Sequence, residues 1–135
     1  MEFKDNEAIY LQIAGLVCEN VLTGKWAAGQ KILSVRDLAV ELEVNPNTVM
    51  RAYELLQELQ IVYNRRGQGL FVAEDGLERA IAWRKQNFVE LNLPEFFKNI
   101  FLLEIPIEEI LRQYDQYRIK QNADGKSTKH HENKH

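Results

Sequence analysis

The chain has 135 residues, enough for one compact domain or for a small domain with an appendage. Its hydrophobic share of 45% and charged share of 27% are ordinary for a globular protein. No apolar run approaches the roughly 18 residues that span a bilayer, so we expect no membrane partner. The polar N-terminus and the single cysteine, Cys18, predict a cytoplasmic protein in which Cys18 is an apolar filler of a helix.

Charge gives no general indication of nucleic-acid binding, because the net charge is −3. Residues 1–75 carry 7 basic and 11 acidic side chains, and residues 76–135 carry 10 and 9. Any binding to DNA must therefore depend on where a few cations are placed.

The first half of the chain begins with a helix and a short extended segment. Apolar residues recur at helical spacing over residues 7–23, and Gly24 ends the run. Residues 31–33 are expected to be extended. Ser34 is a good N-cap, and its hydroxyl can accept from the backbone N–H of Asp37.

A second and a third helix follow Ser34, separated by a tight turn at residues 43–45. Asn45 is predicted to cap the third helix and Pro46 to occupy its first position. One face of this third helix is predicted to lie in the core, because apolar residues recur at helical spacing at Val49, Ala52, Tyr53, Leu56 and Leu59.

Two short β-prone segments, residues 61–64 and 70–73, flank a turn that contains Gly67 and Gly69. This is the pattern of a β-hairpin. A helix, a short strand, a helix–turn–helix and a hairpin, in this order, form a winged helix–turn–helix, which we assign to residues 1–75. The predicted fold class is mainly α with a small β-hairpin.

The second half is predicted to be helical up to residue 121. A helix over residues 75–93 is expected to break at Pro94, followed by a short apolar helix to residue 103 and an amphipathic helix after Pro106. Residues 122–135 hold no apolar side chain larger than alanine, so we expect a disordered polar tail.

Residues 76–121 are rich in large apolar side chains. So short a segment cannot enclose them, and exposed patches of this kind usually mark an interface. We therefore interpret residues 76–121 as a helical dimerisation segment and expect a homodimer. The predicted interface residues are Phe88, Phe96, Phe97, Ile100, Phe101, Ile110 and Tyr114.

A helix–turn–helix binds double-stranded DNA because its second helix fits the major groove with its N-terminal residues near the base edges. That helix should start with small polar groups and free backbone N–H groups, and should carry an exposed donor one turn later. Glycines in the hairpin allow a close approach to the minor groove. The candidate DNA-binding residues are Arg36, Asn45, Asn47, Thr48, Arg51, Arg65, Arg66, Gly67 and Gly69.

The ordered set of motifs in residues 8–73 resembles the DNA-binding domain of the GntR family. The motifs are AIYLQI at 8–13, SVRDLA at 34–39, VNPNTVMRAY at 44–53 and RGQGLFV at 66–72. The resemblance implies a winged helix–turn–helix regulator that binds an operator as a dimer. It implies DNA contacts at Arg36, Asn47, Thr48, Arg51 and the hairpin at residues 67–69.

The short helical second half resembles the YtrA-type subfamily of that family, in which this segment dimerises the protein. Some positions depart from the family pattern. Glu43 and Gln60 stand where glycine is common, Leu70 replaces a hydroxyl residue of the wing, and Met50 stands where some members have arginine. A left-handed Gln60 would cost about 1 kcal/mol relative to glycine.

Metal binding, catalysis and protein binding are the alternatives to DNA binding. The His130-His131-Glu132 cluster with His135 could chelate a metal, although a polar tail explains it as well. No nucleophile–base pair or phosphate-cradling loop is present, so we expect neither catalysis nor a cofactor, and an effector is unknown. The main alternative is a winged helix that binds a protein. The presence of Glu41, Glu43 and Glu54 among the four candidate arginines would favour it.

Overall fold

The structure, a computed structural model, describes Phe3 and residues 7–125. Within these residues lie a π-helical turn at Phe88–Asn92, six α-helices and one two-stranded antiparallel sheet. The elements are α1 (Ile9–Leu22), α2 (Val35–Leu42), α3 (Pro46–Glu58), β1 (Val62–Arg65), β2 (Gly69–Val72), α4 (Gly76–Asn87), α5 (Leu93–Leu102) and α6 (Ile107–Ala123). A mainly helical chain with one hairpin confirms the predicted fold class.

Both predicted caps position the helix–turn–helix. The hydroxyl of Ser34 accepts from the N–H of Asp37 at 3.0 Å. The amide oxygen of Asn45 accepts from the N–H of Asn47 at 2.8 Å, and Pro46 opens α3. Between the two helices, Glu43 is left-handed with φ 56°, which turns the chain from α2 into α3.

The hairpin pairs Val62 with Val72 and Arg65 with Gly69. The segment predicted to be extended joins its other edge, because Lys31 forms an isolated bridge with Phe71. The N–H of Ile32 donates to the carbonyl of Leu70 at 3.0 Å. The wing is therefore a two-stranded hairpin with a short extended segment, residues 31–33, beside β2.

The core lies between α1, α2, α3, the hairpin and the start of α4. The predicted core face of α3 is confirmed at four of its five positions, while Leu59 is only partly buried. The hydroxyl of Tyr53 donates to the carbonyl of Leu33 at 2.8 Å, which fixes α3 against the extended segment at residues 31–33. Burial, and secondarily the charge of Glu41, raise the pKa of Tyr53, so this donor stays protonated.

Cys18 is buried in α1, as predicted for an apolar filler. Burial raises the pKa of its thiol to about 12, because the thiolate would lose its hydration; the charge of Arg84 opposes the shift. The thiol is therefore unreactive at neutral pH.

The first compact unit extends to Lys85, beyond the domain boundary predicted at residue 75. The start of α4 is held on the core: Ala80 is buried, and Arg84 donates to the carbonyl of Gly15 at 2.6 Å. Gly76 makes the approach possible, because a Cβ there would lie 2.7 Å from the carbonyl oxygen of Ile61. Residues 76–85 therefore belong with the first unit rather than with the dimerisation segment.

The second unit begins at Gln86. The predicted break of the helix at Pro94 is not observed, because the helical backbone continues through it. The π-helical turn Phe88–Asn92 precedes the proline, and the N–H of Leu93 donates to the carbonyl of Phe88, five residues earlier. Proline has no N–H and its ring crowds the carbonyl of the preceding turn, so a locally wider turn accommodates it.

Helix α6 ends at Ala123, two residues into the segment predicted as a polar tail. The rest of that prediction, residues 126–135 with the histidine cluster, lies outside the described residues. In the part of the chain that the structure describes, no helix is long and apolar enough to cross a membrane.

Candidate nucleic-acid interface

The N-terminal half of α3 presents the predicted polar residues on the side away from the core. Val49, Ala52, Tyr53 and Leu56 are buried, whereas Asn47 and Arg51, one turn apart, are exposed. Thr48 is partly buried beside them. This end of the helix therefore offers an amide, a hydroxyl and a guanidinium to a partner.

The expectation of free backbone N–H groups at the start of α3 is not met for the first turn. The N–H of Asn47 donates to the side chain of Asn45, and the N–H of Thr48 donates to its carbonyl at 2.9 Å. Pro46 has no N–H to offer. Asn45 thus acts as a cap, and the side chains of Asn47 and Thr48, rather than the backbone, are available to a phosphate.

Arg51 is stacked on an aromatic ring of another helix. Its guanidinium carbon lies 3.9 Å from the centre of the Tyr10 ring in α1. A guanidinium on a ring face is in cation–π contact, and its N–H groups point outward from its edge in a fixed fork. The stack leaves that edge open to hydrogen bonding.

Arg36 occupies the second position of α2 and is exposed. It follows the capping residue Ser34 by two positions, so it lies at the end of α2 where the backbone favours anions. It is thus a separate cation on the helix before α3.

The wing carries Arg65 at the end of β1 and Arg66 in the turn, both exposed. The guanidinium carbon of Arg65 lies 4.6 Å from the centre of the Phe71 ring, which is stacked on Tyr63 at 6.0 Å. Gly67 and Gly69 have φ of 75° and 111°, which side-chain-bearing residues rarely adopt. The two glycines therefore shape the tight turn that presents the arginines.

Lys31 is a further cation at the wing that the sequence analysis did not identify. A Cβ on Gly69 would lie 3.0 Å from its Cε and 3.7 Å from its Nζ, so the lysine side chain crosses the bare face of the glycine. The sequence does predict that Lys31 lies in an extended segment. It does not show that this segment reaches Gly69, because the two residues are far apart in the chain.

Arginines of the helix–turn–helix and wing differ from the later arginines in their partners. Among the described residues, ion pairs involve Arg79 with Asp75, Arg112 with Glu109, and Arg118 with Asp115. Within the same part of the chain, none of the four candidate arginines is in an ion pair with a carboxylate. Their charges remain available to an external anion.

Comparison with known proteins identifies the family of the chain. The profile of the family described as "Bacterial regulatory proteins, gntR family" matches residues 9–72. The HTH-type transcriptional regulator YhcF of Bacillus subtilis (strain 168) is 36% identical over 110 residues, which are 82% of this chain and 89% of YhcF. This chain belongs to the GntR family.

Two further members of the GntR family are similar to the chain. A crystal structure of a regulator from Bacteroides thetaiotaomicron has a TM-score of 0.65 and 40% identity, covering 84% of this chain and 99% of that one. The HTH-type transcriptional repressor YtrA of Bacillus subtilis (strain 168) is 38% identical over 72 residues, covering 53% of this chain and 55% of YtrA. The chain is therefore a GntR transcriptional regulator with a DNA-binding winged helix.

Acidic residues on the helix–turn–helix of this GntR protein are unevenly placed. Glu54 and Glu58 are exposed three and seven residues after Arg51, on the same face of α3. Glu54 therefore lies about 4.5 Å further along the helix axis than Arg51. The cation and amide occupy the N-terminal half of this face and the acids the C-terminal half, which suits a helix that meets DNA with its N-terminal end.

The other two acids that would favour protein binding, Glu41 and Glu43, lie outside α3. Glu43 is in the turn that ends α2, and Glu41 is close enough to Tyr53 to affect its pKa. Within the residues described, no group of three or more His, Cys, Asp or Glu side chains could hold a metal ion.

Proposed function

We propose that this GntR regulator is a YtrA-type repressor that binds an inverted-repeat operator as a homodimer in the cytoplasm. Repression would follow from occupation of the operator, which blocks access to a promoter. The similarity to YtrA, whose name describes a repressor, supports this role.

One observation carries the proposal: the candidate arginines are exposed and, among the described residues, have no carboxylate partner, whereas Arg79, Arg112 and Arg118 are paired. Phosphate contacts provide much of the affinity for DNA and depend on cations that are not neutralised by the protein's own carboxylates. A surface with a net negative charge can bind DNA only if such cations are concentrated at one place. The first turn of α2, the N-terminal half of α3 and the wing are where we propose that they meet the duplex.

The proposed homodimer is supported by the second unit. The predicted interface residues Phe88, Phe96, Phe97, Phe101 and Tyr114 are exposed, and Ile100 and Ile110 are partly buried. A second copy of the same surface would cover them in a two-fold interface. Two recognition helices would then read half-sites about one helical turn apart, ~34 Å along the DNA.

Substitution of Arg51 tests the DNA contact directly. The operator is first selected from a random duplex library with the wild-type chain. Arg51→Ala should weaken binding to it by about 1–3 kcal/mol, or roughly 5- to 150-fold, if Arg51 contacts a base. Fluorescence anisotropy at fixed salt measures the change. Arg79→Ala is the matched control, since it also removes one exposed arginine charge from the first unit but one that is paired with Asp75.

The proposal predicts a normal affinity for Arg79→Ala. Equal losses in the two variants would mean that binding depends only on net charge, and Arg51 would have no specific role. If the wild-type chain enriches no sequence from the library, the alternative of a winged helix that binds a protein gains support, and Glu54 and Glu58 become its candidate contacts.

A further inference from the structure

The contact between Arg51 and Tyr10 joins the recognition helix α3 to α1. Tyr10 lies in the first turn of α1 and is partly buried, whereas Arg51 is exposed on α3. The guanidinium carbon of Arg51 is 3.9 Å from the ring centre. This inference rests on the proposed DNA contact of Arg51.

An exposed arginine is flexible, and it must lose this freedom when it binds a base or a phosphate. A ring that already holds the guanidinium reduces the loss at the moment of binding, because the side chain is pre-organised. The ring takes one face of the guanidinium and leaves the N–H groups on its edge free to donate. No carboxylate among the described residues competes for this edge.

We propose that Tyr10 is a positioning residue for DNA recognition, which holds Arg51 by a cation–π stack in the orientation used for the operator. The wing contains a parallel arrangement, in which Arg65 lies over the ring of Phe71 at 4.6 Å. In both places, an aromatic ring holds an arginine that lacks an ion pair.

Two substitutions of Tyr10 separate the stack from simple packing. Tyr10→Phe keeps the ring face, while Tyr10→Leu keeps an apolar side chain without it. We expect Tyr10→Phe to bind the selected operator within about twofold of wild type. Tyr10→Leu should bind up to about fivefold more weakly, which corresponds to about 1 kcal/mol, the upper end for an exposed cation–π contact.

The same change in an Arg51→Ala background completes a double-mutant cycle. There, Tyr10→Leu should have no further effect on affinity, because the group that it positions is absent. A purely structural role of Tyr10 predicts the same loss in both backgrounds, and that result would overturn the proposal. A gain of affinity on Tyr10→Leu would also overturn it, since the ring would then be holding Arg51 away from DNA.

Failure of the stack is distinguishable from failure of the proposed function. If Arg51→Ala weakens binding but Tyr10→Leu does not, only the role of Tyr10 is wrong. If Arg51→Ala leaves the affinity unchanged, the DNA contact itself is wrong. Should Tyr10→Leu fold poorly, the side-chain protons of Arg51 in the wild-type chain report on the stack by NMR. Ring-current shifts to low frequency support it, and ordinary random-coil shifts overturn it.

Discussion

The two units of the chain treat their apolar side chains in opposite ways. In residues up to Lys85, α1, α2, α3 and the hairpin enclose a core that includes Ile13, Leu38 and Leu56. In the described part of the second unit, residues 86–125, no side chain is buried, and Phe101 is 81% exposed. The first unit therefore buries most of its large apolar side chains internally, whereas the described part of the second unit leaves them exposed, which suits the proposed interface.

Charged groups show the reverse difference. The arginines of α2, α3 and the wing have no carboxylate partner among the described residues, while Arg112 and Arg118 of α6 are paired within their own helix. Exposed pairs at this spacing contribute little to stability. The two sets of arginines differ instead in the positive charge that remains available to an external anion. The helix–turn–helix and wing present unpaired arginines, and the described part of the second unit presents apolar surface, which suits the proposed division into DNA binding and dimerisation.

The largest expected effect is on the stability of the first unit. Leu56 is 0% exposed, so Leu56→Ala should lower its free energy of unfolding by about 2–5 kcal/mol. Both tryptophans, Trp26 and Trp83, lie in this unit, so their fluorescence during urea unfolding reports on it. Phe101→Ala is the control: truncation of this exposed ring should leave the same transition within about 0.5 kcal/mol. Equal losses would contradict the comparison.

Dimerisation, in contrast, should be sensitive to substitutions in the second unit. Phe101→Asp places a charge in the proposed interface, so the apparent mass should fall from about twice the 15.8 kDa of one chain towards 15.8 kDa. The loss of affinity between copies should be about 2–4 kcal/mol if Phe101 is a central contact. Light scattering across a dilution series measures it.

Asn99→Asp serves as the control for charge, because Asn99 is exposed on α5 on the side opposite Phe97 and Phe101. It adds the same charge to the same helix and should leave the mass unchanged. A wild-type chain that is already monomeric at micromolar concentration would contradict the homodimer proposal.

Features local in sequence were predictable, and those set by distant contacts were not. Ser34, Asn45 and Pro46 determine helix starts through bonds to residues at most three positions away, and all three act as predicted. The periodicity of α3 identified its buried face for the same reason. The contact of Lys31 with Gly69 and the stack of Arg51 on Tyr10 join residues far apart in the chain. Spacing alone carries no information about such pairs.

Two features of the middle of the chain depend on contacts that the sequence pattern does not show. The first compact unit includes α4 up to Lys85, because α4 packs on the core through Ala80 and Arg84. A helical pattern identifies a helix without showing which unit its first turns contact. Pro94 was expected to break a helix, but the π-helical turn Phe88–Asn92 accommodates it. The rule that proline ends a helix considers only regular i to i−4 bonding.

The smallest expected effect tests whether strain in the first unit can be relieved without changing the second. Gln60 follows α3 with φ 60°, in the left-handed region, so Gln60→Gly should raise the free energy of unfolding by about 1 kcal/mol. Gln57→Gly is a matched control three residues earlier, inside α3, where glycine should lower it by about 0.5–1 kcal/mol. Tryptophan fluorescence in urea measures both, and light scattering should show the wild-type mass for each.

If the two glycine substitutions change the free energy of unfolding with the same sign, the left-handed Gln60 stores no strain. If Gln60→Gly changes the mass, the two units do not divide folding and assembly as their buried surfaces indicate.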